Sequence, residues 1–354
     1  MLKFFQRFRQ KLLDEGALKK YLVYAIGEII LVVIGILIAV QLNNWNQKSI
    51  SDAEIEVLLD KVEDDLVANI KATNNIIDDY FINDSLTRKV INNELTIEDY
   101  YNDKRLGNLL FRIQLLKLNT ENIIKMIEKE DVSSSKYETI IEIAKELKRS
   151  IIYNEYTEEP LKTFYYGNVE FLMSHSFWIA KSDSSSIEKR YHFFTTDENY
   201  KKRVLNHWAK TSEMALTTMY HRSISMELLG RLKVVCHNYD AGRLNELYKS
   251  INLNSFRQIS CDDVVTRNKN QFYKNERFLI TNMSEKEIDL FVKNSKGEII
   301  GERKIKPGEY SIFQETALEF AAIDADYFSI IELHQDGECI KKYVEERNGY
   351  LIVE

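Results

Sequence analysis

Between Tyr21 and Leu42 the chain reads YLVYAIGEIILVVIGILIAVQL, twenty-two residues with one formal charge, Glu28. At 1.5 Å per residue this run reaches roughly 33 Å as a helix, enough to cross a hydrocarbon layer of about 30 Å. The run therefore predicts a transmembrane helix over 21–42. Six basic residues precede it (Lys3, Arg7, Arg9, Lys11, Lys19, Lys20), and acidic residues dominate from Asp52 to Asp65. By the positive-inside rule, residues 1–20 are expected in the cytosol and the bulk of the chain across the membrane. A cleaved signal peptide has a shorter apolar core that ends in small residues. This run exits through Gln41, Leu42, Asn43, Asn44 and Trp45 and reads as an uncleaved anchor, with Tyr21, Tyr24 and Trp45 at headgroup level. The start, LKFFQRFRQKLL, reads either as an amphipathic helix on the anionic inner leaflet or as a plain positive flank.

A carboxylate inside the hydrocarbon is costly unless it is neutral, paired or turned toward protein or water. Spaced by three and four, Ala25, Glu28, Val32, Gly35 and Ala39 share one stripe of the helix. Gly35 and Ala39 form a small-xxx-small pair, which lets a second helix approach closely. The expected partners are membrane lipid and either a second copy or another membrane helix. Two other readings stand beside this one. Glu28 either snorkels toward Lys20 or sits neutral in lipid, or it serves an ion-coupled membrane subunit.

Hydrophobic residues make up 44% of the 354 and charged residues 29%, so the remainder can bury substantial cores. A net charge of −7 and a pI near 5.6 argue against nucleic acid as a partner. Only two prolines and twelve glycines favour long helices. Cys236, Cys261 and Cys339 are scattered without CxxC spacing, and the sequence leaves open whether any of them pair.

After a polar joint over 43–51, the spacing predicts a helical bundle over 52–265. Its first helix carries Ile55, Leu59, Val62, Leu66, Ile70, Thr73, Ile77 and Tyr80 inward, with Glu63, Asp64, Asp65 and Lys71 outside. Further helices are expected over 97–118, from Thr120, over 137–153, from Pro160, and over 197–235. From about Gln271 the period changes from 3.6 to 2, through RFLITNMS, EIDLFVKN, EIIGERKI, EYSIFQ, ALEFAAID, YFSIIELH, CIKKYVEE and YLIVE. Seven or eight short strands over 271–354, broken at Pro307-Gly308, Asp336-Gly337 and Asn348-Gly349, predict a small antiparallel β-sandwich.

No catalytic signature is present. The six histidines include no HExxH, and His207 and His221 stand about 21 Å apart along one helix, too far to share an ion. Asp78-Asp79 and Asp262-Asp263 are adjacent pairs, which read as solvated faces. GxSxG, Walker and GxGxxG patterns are absent. Cys236 ends an apolar helix and reads as a core thiol. No catalytic, cofactor-binding or metal-ligating residue is expected, and no cofactor. One aromatic stretch is a candidate ligand pocket, with Tyr165, Tyr166, Phe177 and Trp178 at its centre.

Two resemblances follow from quoted residues. Ala25-Ile-Gly-Glu-Ile29, Val33-Ile-Gly-Ile-Leu-Ile-Ala39 and Leu42-Asn-Asn-Trp-Asn46 resemble the opening of a family of single-pass membrane proteins of Gram-negative bacteria, in which a basic start and this span precede a helical envelope domain. That resemblance implies an inner-membrane anchor with a cytosolic N-terminus and a periplasmic bulk, and it implies no activity. The tail FLITNMSEKEIDLFVKNSKGE…IKPGE…IDAD is similar to the β domain of the von Hippel–Lindau family, which implies the sandwich fold. Gln314, Leu318 and Phe320 stand where that domain has its serine, histidine and tryptophan, so hydroxyproline recognition is not implied.

The expectation is thus a membrane-anchored envelope protein acting as a non-enzymatic interaction, scaffold or sensing subunit, its envelope partner left open. The alternatives are an ion-coupled subunit using Glu28 and an enzyme of unrecognised type.

Overall fold

The structure is a computed structural model that describes residues 18–178, 184–265, 277–293, 297–314, 330–344 and 349–354. The basic segment before Leu18, the expected strand ALEFAAID and the positions Leu318 and Phe320 lie outside the described residues. The chain is mainly helical. It divides into two compact units, Met1–Leu58 with Glu128–Thr139, and Leu59–Ile127 with Ile140–Glu354.

The first unit holds the start of α1 (Leu18–Ile91), a helix of 74 residues. The polar joint expected over 43–51 does not interrupt it. Asn43 to Ser51 contain neither glycine nor proline, and amide side chains alone do not break a helix whose flanks propagate it. Side chains along the apolar run stand outward, Leu31 with 73% of its surface exposed. No residue of the apolar window is buried, and α1 is long and apolar enough to cross a membrane. Near the end of the unit, the Asp52 carboxylate accepts from the Ser134 backbone N–H at 2.8 Å, and Tyr137 donates to Glu56 at 3.0 Å. Lys129 pairs with Glu54, and Ile55 and Tyr137 are fully buried.

In the second unit, the inward stripe of α1 holds as expected. Leu59, Val62, Leu66, Ile70, Thr73 and Ile77 are buried. Glu63 departs from expectation: it is buried rather than outside, where Lys233 and His237 meet its two oxygens. Helical period alone sees only that Glu63 adjoins the apolar stripe, not that a lysine and a histidine from a distant helix reach it.

The helix expected over 97–118 is mostly absent. Thr96 and Asp99 form a reciprocal capping box that starts α2 (Ile97–Asn102), which ends after one and a half turns. A 3-10 turn over Leu106–Phe111 then buries Leu106 and Leu109 at its own three-residue spacing, with Leu110 beside them. Residues 112–119 have no regular structure. After α3 (Glu121–Ile127), α4 (Glu138–Met173) passes straight through Pro160 instead of starting there. The proline forgoes one backbone bond, and burial of Leu161, Asn168 and Leu172 beyond it carries the helix on. α5 (Ser184–Thr196) precedes α6 (Glu198–His237), which opens on the Asp197 side chain accepting from Tyr200 N–H at 2.7 Å and closes on left-handed Asn238, φ 54°. α7 (Ala241–Ser250) is capped in the same way by Asp240.

Nine strands follow among the described residues: β1 (Asn254–Ser255), β2 (Arg257–Ile259), β3 (Arg277–Asn282), β4 (Ile288–Lys293), β5 (Ile299–Ile305), β6 (Tyr310–Gln314), β7 (Ile330–Gln335), β8 (Glu338–Val344) and β9 (Gly349–Val353). They form a four-stranded sheet, β1-β9-β3-β6, and a five-stranded sheet, β2-β8-β7-β4-β5. The larger sheet is antiparallel throughout. The smaller is mixed, because β9 runs parallel to both β1 and β3. That corrects the expectation of purely antiparallel pairing: a period of two identifies a strand but says nothing about its neighbour. The sheets also recruit β1 and β2 from within the stretch expected to be bundle. Asp336 and Gly337, both at positive φ, make the tight turn that joins β7 to β8. Phe278, Ile280 and Leu351 of one sheet share an apolar core with Leu290, Val292 and Leu333 of the other. Cys261 and Cys339, 78 residues apart, are joined as a disulfide. Helices and strands pack together: Tyr350 donates to the Asn245 carbonyl at 3.1 Å, and a Cβ on Gly230 would come within 2.6 Å of the Tyr248 hydroxyl.

Candidate functional site

A small cleft of about 40 Å³ lies between α1, α4 and α6 and is partly open to solvent. From α1 it takes Ile76, Asp79, Tyr80, Asn83 and Thr87, spaced so that one helical face presents all five. α6 supplies His207, Trp208, Thr211, Met214 and Ala215, and α4 supplies Leu161. Leu109, Arg112 and Gln114 close it from the turn and the irregular run after it. Because residues 112–119 are not helical, the Arg112 carbonyl has no helical partner, and His207 Nε2 lies 3.0 Å from it.

Polar contacts in the cleft are directional. Arg112 pairs with Asp79 at 3.1 Å, and Asn83 Nδ2 donates to the other Asp79 oxygen at 2.9 Å. Trp208 N–H donates to Asp84 at 2.6 Å, and Arg88 Nε donates to the second Asp84 oxygen at 3.0 Å. The Tyr80 hydroxyl lies 3.0 Å from Ser212 Oγ, and burial with the nearby Asp84 charge pushes its phenol well above the usual range. His207 faces a carbonyl through Nε2, so that nitrogen carries the proton. Burial holds the imidazole below its ordinary pKa, outweighing the bond to Arg112. The proton-free Nδ1 and the Asn83 Oδ1 are buried and have no hydrogen-bond partner in the protein. The cleft lining thus combines one ion pair, Asp79 with Arg112, and apolar walls, with the Asp84–Arg88 pair behind Trp208.

A second polar cluster lies in the bundle core. His221 Nδ1 is 2.7 Å from Ser150 Oγ, whose hydroxyl also lies 2.7 Å from the Leu147 carbonyl. Both residues are buried, and desolvation lowers the His221 pKa to about 4. A serine beside a histidine has the composition of a nucleophile and base, but neither lines the cleft. Among the described residues, two groups of side chains have ligand atoms close enough to suggest a metal: Asp60, Glu63 and His237, and Glu332, His334 and Cys339. In the first, the Lys233 ammonium already holds Glu63. In the second, Cys339 is consumed by the disulfide, and Lys293 and Lys342 both reach Glu332.

The residues singled out by sequence fall elsewhere. Tyr166 is 64% exposed and stacks edge-on with Tyr165, away from the cleft lining. Phe177 and Trp178 sit in a packed aromatic group with Phe111, Phe193 and Phe194, and the Arg190 guanidinium lies 4.1 Å from the Trp178 ring centroid. On the membrane-type stripe, Ala25 is half-buried and Glu28, Val32, Gly35 and Ala39 are exposed, with nothing within 4 Å of a Cβ built on Gly35. Asp79 is not the solvated residue expected, since Arg112 and Asn83 enclose its carboxylate. Cys236 is a half-buried thiol. Sequence reasoning missed Asp79, Asn83, Arg112 and His207 as a set. The one local trace was the i, i+4 pair Asp79 and Asn83 flanking Tyr80 at the edge of an apolar stripe. No family model, no curated protein and no solved structure matches this chain.

Proposed function

We propose that this chain is a single-pass inner-membrane protein that holds its bundle and sheets in the periplasm as a non-enzymatic interaction, scaffold or sensing subunit. The observation that carries the reading is the outward-facing apolar run of α1, whose side chains have no protein to cover them. Lipid satisfies that surface where water does not. Six basic residues before the run favour a cytosolic start. The Cys261–Cys339 disulfide favours an oxidising compartment for the remainder. In this reading the two sheets close as a sandwich over their shared core. The stripe of Ala25, Glu28, Val32, Gly35 and Ala39 is where a second copy or another membrane helix would pack. An enzymatic reading based on Ser150 and His221 is less favoured, because both are enclosed and Ser150 is also engaged by a backbone carbonyl.

Topology is the decisive test. A reporter active only in an oxidising compartment, fused after Glu354, should be active, and a cytosol-only reporter at the same position should be silent. The reverse pattern would overturn the proposal.

A further inference from the structure

β7 and β8 bring metal-ligating side chains to one spot on the five-stranded sheet. Leu333 points into the core shared by the sheets, so Glu332 and His334 on either side of it stand on the opposite face. The register shifts between Leu333 and His334: before the shift Glu332 faces Lys342, and after it His334 faces Cys339. A bulge re-aims a side chain, and here it sets a cysteine rather than Ile340 opposite the histidine. Ligand atoms of Glu332, His334 and Cys339 lie within 4.8 Å of one another, and Cys261 is bonded to Cys339. His334 Nε2 and Glu332 Oε2 are 3.1 Å apart, close to the roughly 3.3 Å between two such ligands of a tetrahedral zinc. Phe291 meets the His334 ring edge-on, centroids 4.7 Å apart, and holds its plane. Both cysteines are half-buried and the His334 side chain keeps 19% of its surface exposed, so a solvated ion reaches them.

Cys261 is held in place by more than its disulfide. Ile259 pairs with Lys342, whose ammonium donates to the Asp263 carbonyl at 3.0 Å and the Cys261 carbonyl at 3.4 Å. In the oxidised chain the sulfurs are spent on each other, and Lys293 and Lys342 neutralise Glu332. Reduction changes that balance by two charges. Zinc with two thiolates and one carboxylate carries one net negative charge, and the same lysines then stabilise the complex. Two sulfurs, an imidazole and a carboxylate select zinc over magnesium or calcium.

We propose that Cys261, Cys339, His334 and Glu332 form a redox-gated zinc site, closed to metal as the disulfide and opened by reduction. A dithiol reduces the disulfide, is itself oxidised to a disulfide, and leaves Cys261 and Cys339 as thiols. Zinc then displaces both thiol protons. Loss of two electrons to an oxidant re-forms the Cys261–Cys339 bond and releases the ion. The chain takes the disulfide form in an oxidising compartment and the zinc form in a reducing one, whichever side of a membrane holds the sheets.

The test uses the full chain in detergent with Cys236→Ser throughout, so that the third thiol does not contribute. After reduction with a phosphine the protein should bind one zinc per chain, and cobalt in its place should give a thiolate-to-metal charge-transfer band. The oxidised protein should bind neither, and diamide should release the zinc as the disulfide returns. His334→Ala leaves the disulfide intact, so the variant is purified folded before reduction. It should weaken zinc binding about a hundredfold or more, past what the loss of an outer partner costs. His237→Ala, in the other cluster of candidate ligands, should leave binding unchanged. Circular dichroism with zinc present follows the fold of each sample. No zinc on the reduced protein at micromolar free metal overturns the proposal. So does equal binding by oxidised and reduced protein, equal loss in His334→Ala and His237→Ala, or a reduced chain that unfolds with zinc present.

Discussion

Residues 22–42 of α1 and the middle of the bundle are both regular helix, yet they invert each other. Along the first, the apolar side chains point outward and are exposed. In the second, Asn74, Ser150, Asn154, Thr218 and His221 are buried polar residues among leucines and isoleucines. In the first region the backbone bonds are all internal to the helix, so its backbone depends on no distant partner. The second draws on tertiary structure for partners, which Ser150 provides for His221 Nδ1 and the Ile251 carbonyl for Asn74, while His221 Nε2 and Asn154 Oδ1 have none in the protein. Apolar composition therefore marks a surface in one place and polar composition marks a core in the other. Burial cannot be equated with hydrophobicity in this chain.

The largest effect expected from this contrast is on membrane retention. Leu31→Arg combined with Ile34→Arg should cost about 6 kcal/mol of insertion free energy and move the chain out of the membrane fraction. Carbonate extraction checks this, and full retention of the double variant would show that another segment anchors the protein.

Next is the packing contrast along a single helix. Ile70 is fully buried and Leu31 is exposed. Ile70→Ala should lower unfolding stability by roughly 4 kcal/mol, whereas Leu31→Ala should leave it within about 0.5 kcal/mol. Paired denaturant titrations in detergent measure both. Equal losses would mean that residues around Leu31 also pack within the protein.

The smallest of the three effects is the pH response of the polar core. Because the His221 pKa falls from 6.5 to about 4 on folding, the unfolded chain binds a proton over a range where the folded chain does not. Stability is then full above about pH 6.5 and declines as the pH falls toward 4, by up to about 3 kcal/mol. His207 shifts in the same direction and adds to the decline. Thermal melts of the wild type and His221→Gln across that range should converge as the pH drops. Parallel curves would mean that His221 is solvated and the polar core is open.

The sequence by itself determined the features that short-range physics controls. The apolar run stands alone in its length and composition. Asp197 and Asp240 cap the helices they precede because a carboxylate satisfies N–H groups only two or three residues away. Alternation identified seven of the strands, and Asp336-Gly337 their tightest turn. Tertiary structure alone decided whatever depends on distant partners. It put β9 parallel to β3, joined Cys261 to Cys339, and drew Glu63 inward to meet Lys233 and His237. It also assembled the cleft by bringing Asp79 and Asn83 of α1, Arg112 of an irregular run and His207 of α6 onto one surface. Periodicity records which face of an element is apolar, while the polar partners that make a site come from elements whose meeting is decided only when the chain has closed on itself.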